Sequence, residues 1–337
     1  MPLDPAVQPL FAKTPASLNS GVASSPLRRF VLFALALCLC FCIPLYGLIR
    51  LALHSELYSH ILLIPFITLY LIWIQRREAG VPSSEFRVQS SKFKVLGSEF
   101  KAPLPSRFTL HASRSALLPW LAGLTLLVCY GVMRWRGWQP ARDDYLAFTM
   151  LSLLLFLLGG GLVFLGGQFM RAVTFPLAML LFMVPFPSFV KSGIEVFFQH
   201  TSADAASVLF SLSGTPVFRE GLIFRLPGMT IQVAEECSGI RSSLVLFITG
   251  LLAAQLFLRT PWKRAVLALV VIPLGIVRNG FRIFTIGMLC VHVDPNMINS
   301  PIHRRGGPIF FLLSLIPFFL ILVWLRRSEG KRLKANG

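Results

Sequence analysis

Charged residues are scarce in this sequence of 337 residues. Asp, Glu, Lys and Arg together make up 14% of the chain, whereas 55% of it is hydrophobic. A soluble protein of this length needs far more polar side chains to cover its core. The scarcity of charge therefore excludes an ordinary soluble domain and indicates a protein that lies in a lipid bilayer.

Negative charge is the scarcer kind, because 14 acidic residues stand against 32 Lys and Arg and the formal net charge is +18. A strongly basic chain is a candidate for binding nucleic acid. Here, however, the basic residues lie between apolar runs and form no single dense patch, as is typical of orientation signals in membrane proteins. Nucleic acid is therefore not an expected partner, whereas the bilayer is.

Several metal and redox motifs are absent. The sequence contains no Cys-x-x-Cys pair and no His-Glu-x-x-His, which argues against a zinc knuckle, a thiol–disulfide relay and a zinc protease. We therefore predict no metal and no cofactor. Five of the six cysteines lie in apolar runs, where a thiol usually behaves as a small hydrophobic group. Only Cys237 follows a polar stretch, Glu235-Glu236.

Apolar runs long enough to cross about 30 Å of hydrocarbon recur along the chain. They predict an all-α polytopic membrane protein with about eight transmembrane helices. The first run follows a tail of about thirty residues and is too long for a signal-peptide core. The eight predicted spans are Phe30–Ile49, Ser59–Ile74, Ser115–Val132, Tyr145–Leu165, Ala172–Val190, Ser242–Leu258, Ala265–Arg282 and Pro308–Leu325.

The distribution of Lys and Arg predicts the orientation, because cytoplasmic loops carry an excess of both. Most of them fall on one side if that side, the cytoplasmic one, holds the tail 1–29, the loop 75–114, Arg171, the group Arg259, Lys263 and Arg264, and the basic tail 326–337. Residues 30–325 then form the membrane domain, and both termini lie inside. The loop repeats a seven-residue unit three times, beginning at Ser84, Ser91 and Ser98, and we interpret it as a low-complexity insertion without a function of its own.

The segment 191–236 is predicted to lie on the outer face. Its first half, Gly193–Leu212, mixes apolar and polar residues, which indicates an amphipathic helix at the interface. Its second half predicts a β-hairpin, since Leu222–Leu226 and Met229–Val233 flank the turn pair Pro227-Gly228. The hairpin leads directly to Cys237. By itself this cysteine has two interpretations, a reactive thiol or a buried thiol at a helix entry that a serine caps.

Polar residues inside the seventh predicted span are costly. An arginine in mid-bilayer costs on the order of 3 kcal/mol, and such residues usually face a cavity or a partner. Arg278, Asn279 and Arg282 share one helical face by their spacing. Snorkelling to the outer interface is the alternative. The predicted topology places this end of the span, His303 and Cys237 on the same side of the membrane. A cysteine nucleophile needs a base such as histidine to take its proton, and an arginine can stabilise the oxyanion that forms.

Three short segments resemble motifs of the exosortase/archaeosortase family. Val233–Ser242 is similar to the cysteine motif of that family, Asn279–Arg282 to its Asn-x-x-Arg motif, and His303–Gly307 to its His-x-x-x-Gly motif. Ser59-His60 followed by Leu63-Ile64-Pro65 also looks like an early membrane segment of the family. The motifs follow one another in the expected order on separate apolar segments, and the resemblance extends from about the first span to the last.

The resemblance implies a multi-pass cysteine protease/transpeptidase of the bacterial inner membrane, with its active site on the outer face. Such enzymes cleave exported proteins at a C-terminal sorting signal, which combines a Pro-Glu-Pro-type motif, one membrane helix and a basic tail. They take part in surface protein sorting and exopolysaccharide production. The acceptor of the cleaved protein is an amine, a glycan or lipid, or water.

The resemblance also implies residue roles. Cys237 corresponds to the nucleophile, Arg282 to the group that stabilises the transition state, and His303 to the proton-transfer residue. Substrate-binding or supporting roles are expected for Arg278, Asn279, Glu236 and Arg241. The acid that orients His303 stays open among Glu235, Glu236 and Asp294.

Two other classes of protein fit the composition. A transporter or a flippase for lipid-linked glycans is also polytopic, but it predicts polar residues in several spans or two matching halves. Embedded charge here is confined to one predicted span, and no internal duplication is visible. A membrane scaffold without activity leaves the cysteine, arginine and histidine unexplained.

Overall fold

The computed structural model of the chain describes residues 26–80, 110–234, 238–300 and 306–335. The low-complexity repeat lies outside these residues, as do both ends of the chain. Eleven α-helices occur in the described part. They are α1 Pro26–Cys40, α2 Cys42–His54, α3 Ile64–Gly80, α4 Leu110–Trp135, α5 Arg142–Phe164, α6 Gly167–Ala172, α7 Thr174–Met179, α8 Ser188–Leu212, α9 Ile240–Phe257, α10 Pro261–His292 and α11 Gly307–Ala335.

The all-α polytopic membrane fold is confirmed. Helices α4, α5, α9, α10 and α11 are long and apolar enough to cross a bilayer, and α3 contains a shorter apolar stretch, Ile64–Gln75. Helices α1 and α2 form one bent pair, with an angle of 76° between them. A second bent pair, at 90°, joins Thr174–Met183 to α8. The described residues therefore contain five spanning helices, or seven if each bent pair is one span, against the eight that the sequence predicts.

The fifth predicted span, Ala172–Val190, is where the sequence and the structure differ most. It contains the end of α6, then α7, a 3₁₀ turn Leu180–Met183 and an extended link before α8. Pro176 lies in the first turn of α7, and Pro185 and Pro187 lie in the link. Proline lacks an amide hydrogen and restricts the residue before it. An apolar composition therefore does not produce a straight helix here.

The described helices pack in two groups. Helices α1–α7 contact mainly one another, and α8–α11 contact mainly one another. Asp144 at the start of α5 connects the groups, because its carboxylate accepts hydrogen bonds from the backbone N–H of Ser188 at 2.6 Å and from its hydroxyl at 2.8 Å. A ring contact between Phe182 and Phe247, at 6.1 Å, is a second connection.

The predicted hairpin is present and belongs to a three-stranded antiparallel sheet. Strand β2 (Ile223–Leu226) pairs with β3 (Met229–Gln232) around Pro227-Gly228, where Gly228 has a φ of 82°. A proline followed by a residue with positive φ is the signature of a type II turn. The sequence missed β1 (Phe218–Glu220), which pairs with β2, because three residues carry too little pattern to be recognised.

Helix α10 is longer than the seventh predicted span, since it continues for ten residues beyond Arg282 to His292. Its second half runs beside α8, with Gly280 against Ala205 and Gly287 against Phe210. The sheet covers the same region, and together they form an apolar core. The fully buried members of that core are Ala203, Ala206, Phe210, Phe224, Leu226, Ile231, Val233 and Ile283.

Helix α8 covers the predicted amphipathic helix Gly193–Leu212 and begins five residues earlier. It places Phe198, Gln199 and Ser202 in the interior, whereas Asp204 forms an ion pair with Arg219 of β1 at 2.7 Å. The predicted division into an apolar and a polar face is not seen, because Gln199 and Ser202 are buried whereas Val208 is exposed. The position of the helix at the outer membrane interface stays a prediction.

Candidate active site at the start of helix α9

The turn that begins α9, here called the α9 entrance (Ser238–Ser243), depends on a glycine. Gly239 is the residue before the helix and has a φ of 74°, in the left-handed region. A Cβ atom at this position would lie 2.8 Å from Cγ of Asn279 and 2.9 Å from its Oδ1. Glycine is therefore needed both for the backbone angle and for the close approach of α10. The serine cap considered from the sequence is absent, because no side chain caps this helix start.

Arg278 of α10 binds the α9 entrance directly. Its Nη2 donates hydrogen bonds to the carbonyl oxygen of Gly239 and to Oγ of Ser243, both at 3.2 Å. The side chain is buried, with 7% of the residue exposed. Its Nη1 is also buried and has no hydrogen-bond partner among the described residues. Arg278 therefore does not snorkel toward water, because it is enclosed by protein.

Asn279 and Arg282 follow on the same side of α10. Asn279 is buried against Gly239, and Arg282 is half-buried one turn further along the helix. Arg278 and Asn279 of the predicted shared face thus contact the α9 entrance. The start of α11 lies beside the same turn, since the rings of Phe281 and Phe310 are 6.1 Å apart.

Described residues in or next to the three motif segments lie near one another. The α9 entrance contacts α10 through Gly239, and α10 contacts the start of α11 through Phe281. Cys237, Glu235 and Glu236 lie outside the described residues, and so does His303. The structure therefore brings together the segments that flank these residues, while the side-chain arrangement of Cys237, Arg282 and His303 stays a prediction.

The chain on both sides of residues 235–237 is held by hydrogen bonds. Val233 donates its backbone N–H to the carbonyl of Leu222 at 2.9 Å, and its own carbonyl accepts from Nε2 of the buried Gln199 at 3.1 Å. Ser238 on the other side is 1% exposed. Sequence reasoning gave Gln199 no role, because it is one of several polar residues in the mixed segment Gly193–Leu212.

Arg241 and Asp294 have partners that the sequence did not predict. Arg241, on the first turn of α9, is exposed and forms an ion pair with Glu56 in the turn after α2. Asp294 caps the 3₁₀ turn Pro295–Asn299, because its side chain accepts from the backbone N–H of Asn296 at 2.8 Å. Asp294 thus has a structural role in addition to the predicted one.

The early segment around Ser59-His60 contacts the link before α8. The hydroxyl of the buried Tyr58 donates to Asp143 at 3.3 Å and lies 3.5 Å from the carbonyl oxygen of Phe186. Burial and the nearby Asp143 raise the pKa of Tyr58. Burial lowers the pKa of His60, whose Nδ1 lies 3.0 Å from the carbonyl of Leu57. This segment therefore supports the second bent pair.

An apolar cleft of about 320 Å³ lies between the two helix groups and reaches the α9 entrance. Phe182 and Phe186 form one wall, and α8, α9 and α10 form the other. Ser243, which binds Arg278, is the polar residue in its lining. The cleft thus borders the α9 entrance and its contact with Arg278. Its other lining residues are Ile194, Phe197, Phe198, Ile240, Leu244, Phe247, Val271 and Ile272.

In the part of the chain that the structure describes, no group of three or more His, Cys, Asp or Glu side chains is placed to hold an ion. The buried charge at the α9 entrance comes from guanidinium groups, which bind oxyanions and carbonyl oxygens and cannot ligate a metal.

The fold and this site define a multi-pass membrane protein with a polar centre at one end of its spans. A family model described as transmembrane exosortase matches residues 50–320. The chain belongs to the transmembrane exosortase family, which supports a membrane transpeptidase-like role. No match is found among the curated proteins or among the solved structures.

Proposed function

We propose that this protein is a membrane cysteine protease/transpeptidase that cleaves the C-terminal sorting signals of exported proteins through a thioester. The observation that carries the proposal is that described residues in or next to the three motif segments lie near one another, with Gly239 packed on Asn279 and Phe281 packed on Phe310. Segments distant in sequence share one end of the fold, as the residues of a single active site must.

The proposed reaction begins at the thiol of Cys237. His303 takes the proton, and the thiolate attacks the carbonyl carbon of the scissile peptide bond. Arg282 donates hydrogen bonds to the oxyanion of the tetrahedral intermediate. The C–N bond then breaks, the leaving amine takes the proton from His303, and the acyl group stays on sulfur as a thioester. An amine acceptor, a glycan or lipid acceptor, or water then releases it.

The apolar cleft is where we propose that the substrate's membrane helix docks. The cleft is lined by aromatic and aliphatic side chains and by Ser243, which accepts a hydrogen bond from Arg278. If the membrane helix of the substrate lies in the cleft, the polar residues that precede this helix in the substrate lie at the α9 entrance. A bulky substitution such as Leu244→Trp should therefore raise KM for a substrate with a membrane helix.

The distribution of charge supports an outer-face site in the bacterial inner membrane. Arg259, Lys263 and Arg264 lie where α9 ends and α10 begins, and Arg326 and Arg327 lie in the second half of α11. The backbone N–H groups of Arg259 and Thr260 bind Glu329 of α11. The opposite end holds the acidic Glu56, which pairs with Arg241. Basic residues mark the cytoplasmic side, so the site faces outward and the chain termini face inward.

Coexpression with a reporter that carries a C-terminal sorting signal tests the proposal. The parent protein should shorten the reporter, and Cys237→Ala should leave it uncut. A second reporter with a scrambled motif and the same membrane helix controls for unspecific proteolysis. Equal processing by Cys237→Ala and the parent would refute the cysteine protease and leave a transporter or flippase as the better account.

A further inference from the structure

The turn between α9 and α10 packs against the second half of α11, and we call this region the α9–α11 corner (residues 255–264 and 324–329). The carboxylate of Glu329 accepts hydrogen bonds from the backbone N–H groups of Arg259, at 3.2 Å, and of Thr260, at 2.9 Å. Thr260 is the residue before α10, so the carboxylate binds amide groups that a helix start leaves without partners. Glu329, the one acidic residue of the corner, is therefore already engaged.

Lys263 is the buried cation of the corner. The residue is 2% exposed, and its ammonium group donates to the carbonyl oxygen of Leu325 at 3.1 Å and to Oγ of Ser328 at 2.7 Å. A buried charge is costly unless hydrogen bonds compensate it. Both contacts join α10 to α11, so Lys263 fixes the corner and adds positive charge beneath its surface.

Three arginines of the corner carry charge that the corner itself does not neutralise. Arg259, Arg326 and Arg327 are exposed, and no ion pair joins any of them to a carboxylate among the described residues. The guanidinium group of Arg326 lies over the ring of Phe257, 6.0 Å from its centre. Because Glu329 follows Arg326 by one turn of α11 and binds the backbone of Arg259, the two arginines lie on neighbouring parts of the corner.

Large apolar side chains lie next to these arginines. Phe257, Trp262 and Trp324 are exposed, as is Leu256. Tryptophan near the end of a spanning helix is typical of the interface between membrane and water. A ligand that fits the corner therefore combines a negative headgroup with apolar chains. A free anion would leave the apolar surface uncovered.

We propose that the α9–α11 corner binds an anionic phospholipid, with the guanidinium groups of Arg259 and Arg326 on the phosphate and the acyl chains against Phe257 and Trp324. Guanidinium groups bind phosphate oxygens through paired hydrogen bonds. Basic clusters between spanning helices bind such headgroups on the cytoplasmic side, which is the side that the charge distribution predicts for the corner.

An orientation signal would need only the charge of these residues. The corner in addition holds them in one place, through hydrogen bonds between the α9–α10 turn and α11. The inference is independent of the proposed function, because none of the corner residues belongs to the three motif segments.

A lipid titration followed by native mass spectrometry tests the inference on the delipidated full chain in non-ionic detergent. The parent should bind phosphatidylglycerol about tenfold more tightly than phosphatidylcholine with the same acyl chains. Arg259→Gln/Arg326→Gln should weaken the binding of phosphatidylglycerol about 25-fold, since each arginine near an anionic headgroup contributes about a factor of five. Arg259→Lys/Arg326→Lys keeps the charge and should keep most of the affinity.

Arg134→Gln/Arg136→Gln is the matched control, because it removes the same charge from another helix end. Arg134 and Arg136 are exposed at the end of α4, on either side of the exposed Trp135. This pair therefore also combines arginine with tryptophan, but it lies outside the corner. Its loss should leave the affinity for phosphatidylglycerol unchanged.

Three results would overturn the inference: equal affinities for the two lipids, equal losses in the two glutamine double variants, or displacement of phosphatidylglycerol by inorganic phosphate. If Arg259→Gln/Arg326→Gln does not fold, each single variant should still weaken binding about fivefold, and an unchanged affinity in both would refute the site. Lipid binding does not depend on peptidase activity. A protein that leaves the reporter uncut but binds phosphatidylglycerol as expected would refute the proposed function and retain this site.

Discussion

At the scale of single residues, the α9 entrance is specified by a glycine and an arginine on different helices. Gly239 permits the left-handed turn, and Arg278 holds the carbonyl group of that same residue. The sequence showed Arg278 as an embedded charge beside the Asn-x-x-Arg motif. It did not show which backbone group the arginine binds, because a contact between residues 239 and 278 depends on how two helices pack.

Gly239→Ala should destabilise the protein and abolish reporter processing. A left-handed backbone conformation costs alanine about 1–2 kcal/mol of free energy. The Cβ atom of alanine would in addition collide with Asn279. The measurements are the melting temperature in detergent and the processing of the reporter.

Gly214→Ala is the control, because Gly214 has a similar φ of 70° and open space around its missing Cβ. It should lower the melting temperature less and leave processing intact. If the two variants behave alike, the packing of Gly239 on Asn279 has no role of its own.

Arg282→Gln should lower kcat by about 100-fold to 1000-fold, the usual loss when one oxyanion donor is removed. KM should change little, since the interaction forms in the transition state. Steady-state kinetics on a purified reporter measure both constants. A rise in KM with an unchanged kcat would instead make Arg282 a residue that binds the substrate.

At the scale of elements, α8 and α10 approach closely because Gly280 faces small residues. A Cβ at Gly280 would lie 2.6 Å from Cβ of Ala205 and 3.1 Å from the backbone nitrogen of Ala206. Small residues at helix contacts are typical of membrane proteins, in which close packing has to replace the hydrophobic driving force. The contact sets the position of the face that carries Arg278 and Asn279.

Gly280→Ala should therefore lower the melting temperature, because neither neighbour is the end of a flexible side chain that can move away. Gly193→Ala, on α8 with nothing within 4 Å of the added Cβ, should leave it unchanged or raise it, since alanine favours helix more than glycine does. A thermal shift assay on both proteins gives the comparison. An unaltered melting temperature in Gly280→Ala would show that the two helices separate at little cost.

The ends of the helices were the least predictable elements. Hydropathy ended the seventh span at Arg282, because charge interrupts the apolar run there. The helix continues to His292 because its next residues are covered by α8 and the sheet. The hairpin, in contrast, was predictable, since its turn residues and its alternation are local signals.

At the scale of the whole molecule, the class of fold followed from composition, and the family followed from three short motifs. What the sequence did not reveal is the division into two helix groups, the cleft between them and the connection through Asp144 and Ser188. These features depend on long-range packing. A contact made by a single residue such as Asp144 produces no periodic pattern in the sequence from which it could be predicted.

The predicted orientation is testable with single cysteines introduced into a cysteine-free protein. Thr230→Cys, in the exposed side of the sheet, should react with a membrane-impermeant maleimide in intact spheroplasts. Arg259→Cys, exposed at the other end of α9, should react only after the membrane is permeabilised. The reverse pattern would place the α9 entrance in the cytoplasm, where exported substrates are not cut.

The central claim is that Cys237 carries the cleaved protein as a thioester, and intact mass spectrometry tests it directly. After brief mixing with a purified reporter, the parent protein should gain the mass of the reporter's N-terminal part. Hydroxylamine should remove that mass, and the C-terminal fragment should appear free. Cys237→Ala should show neither the adduct nor the fragment. Release of the fragment by Cys237→Ala at the rate of the parent would contradict the account.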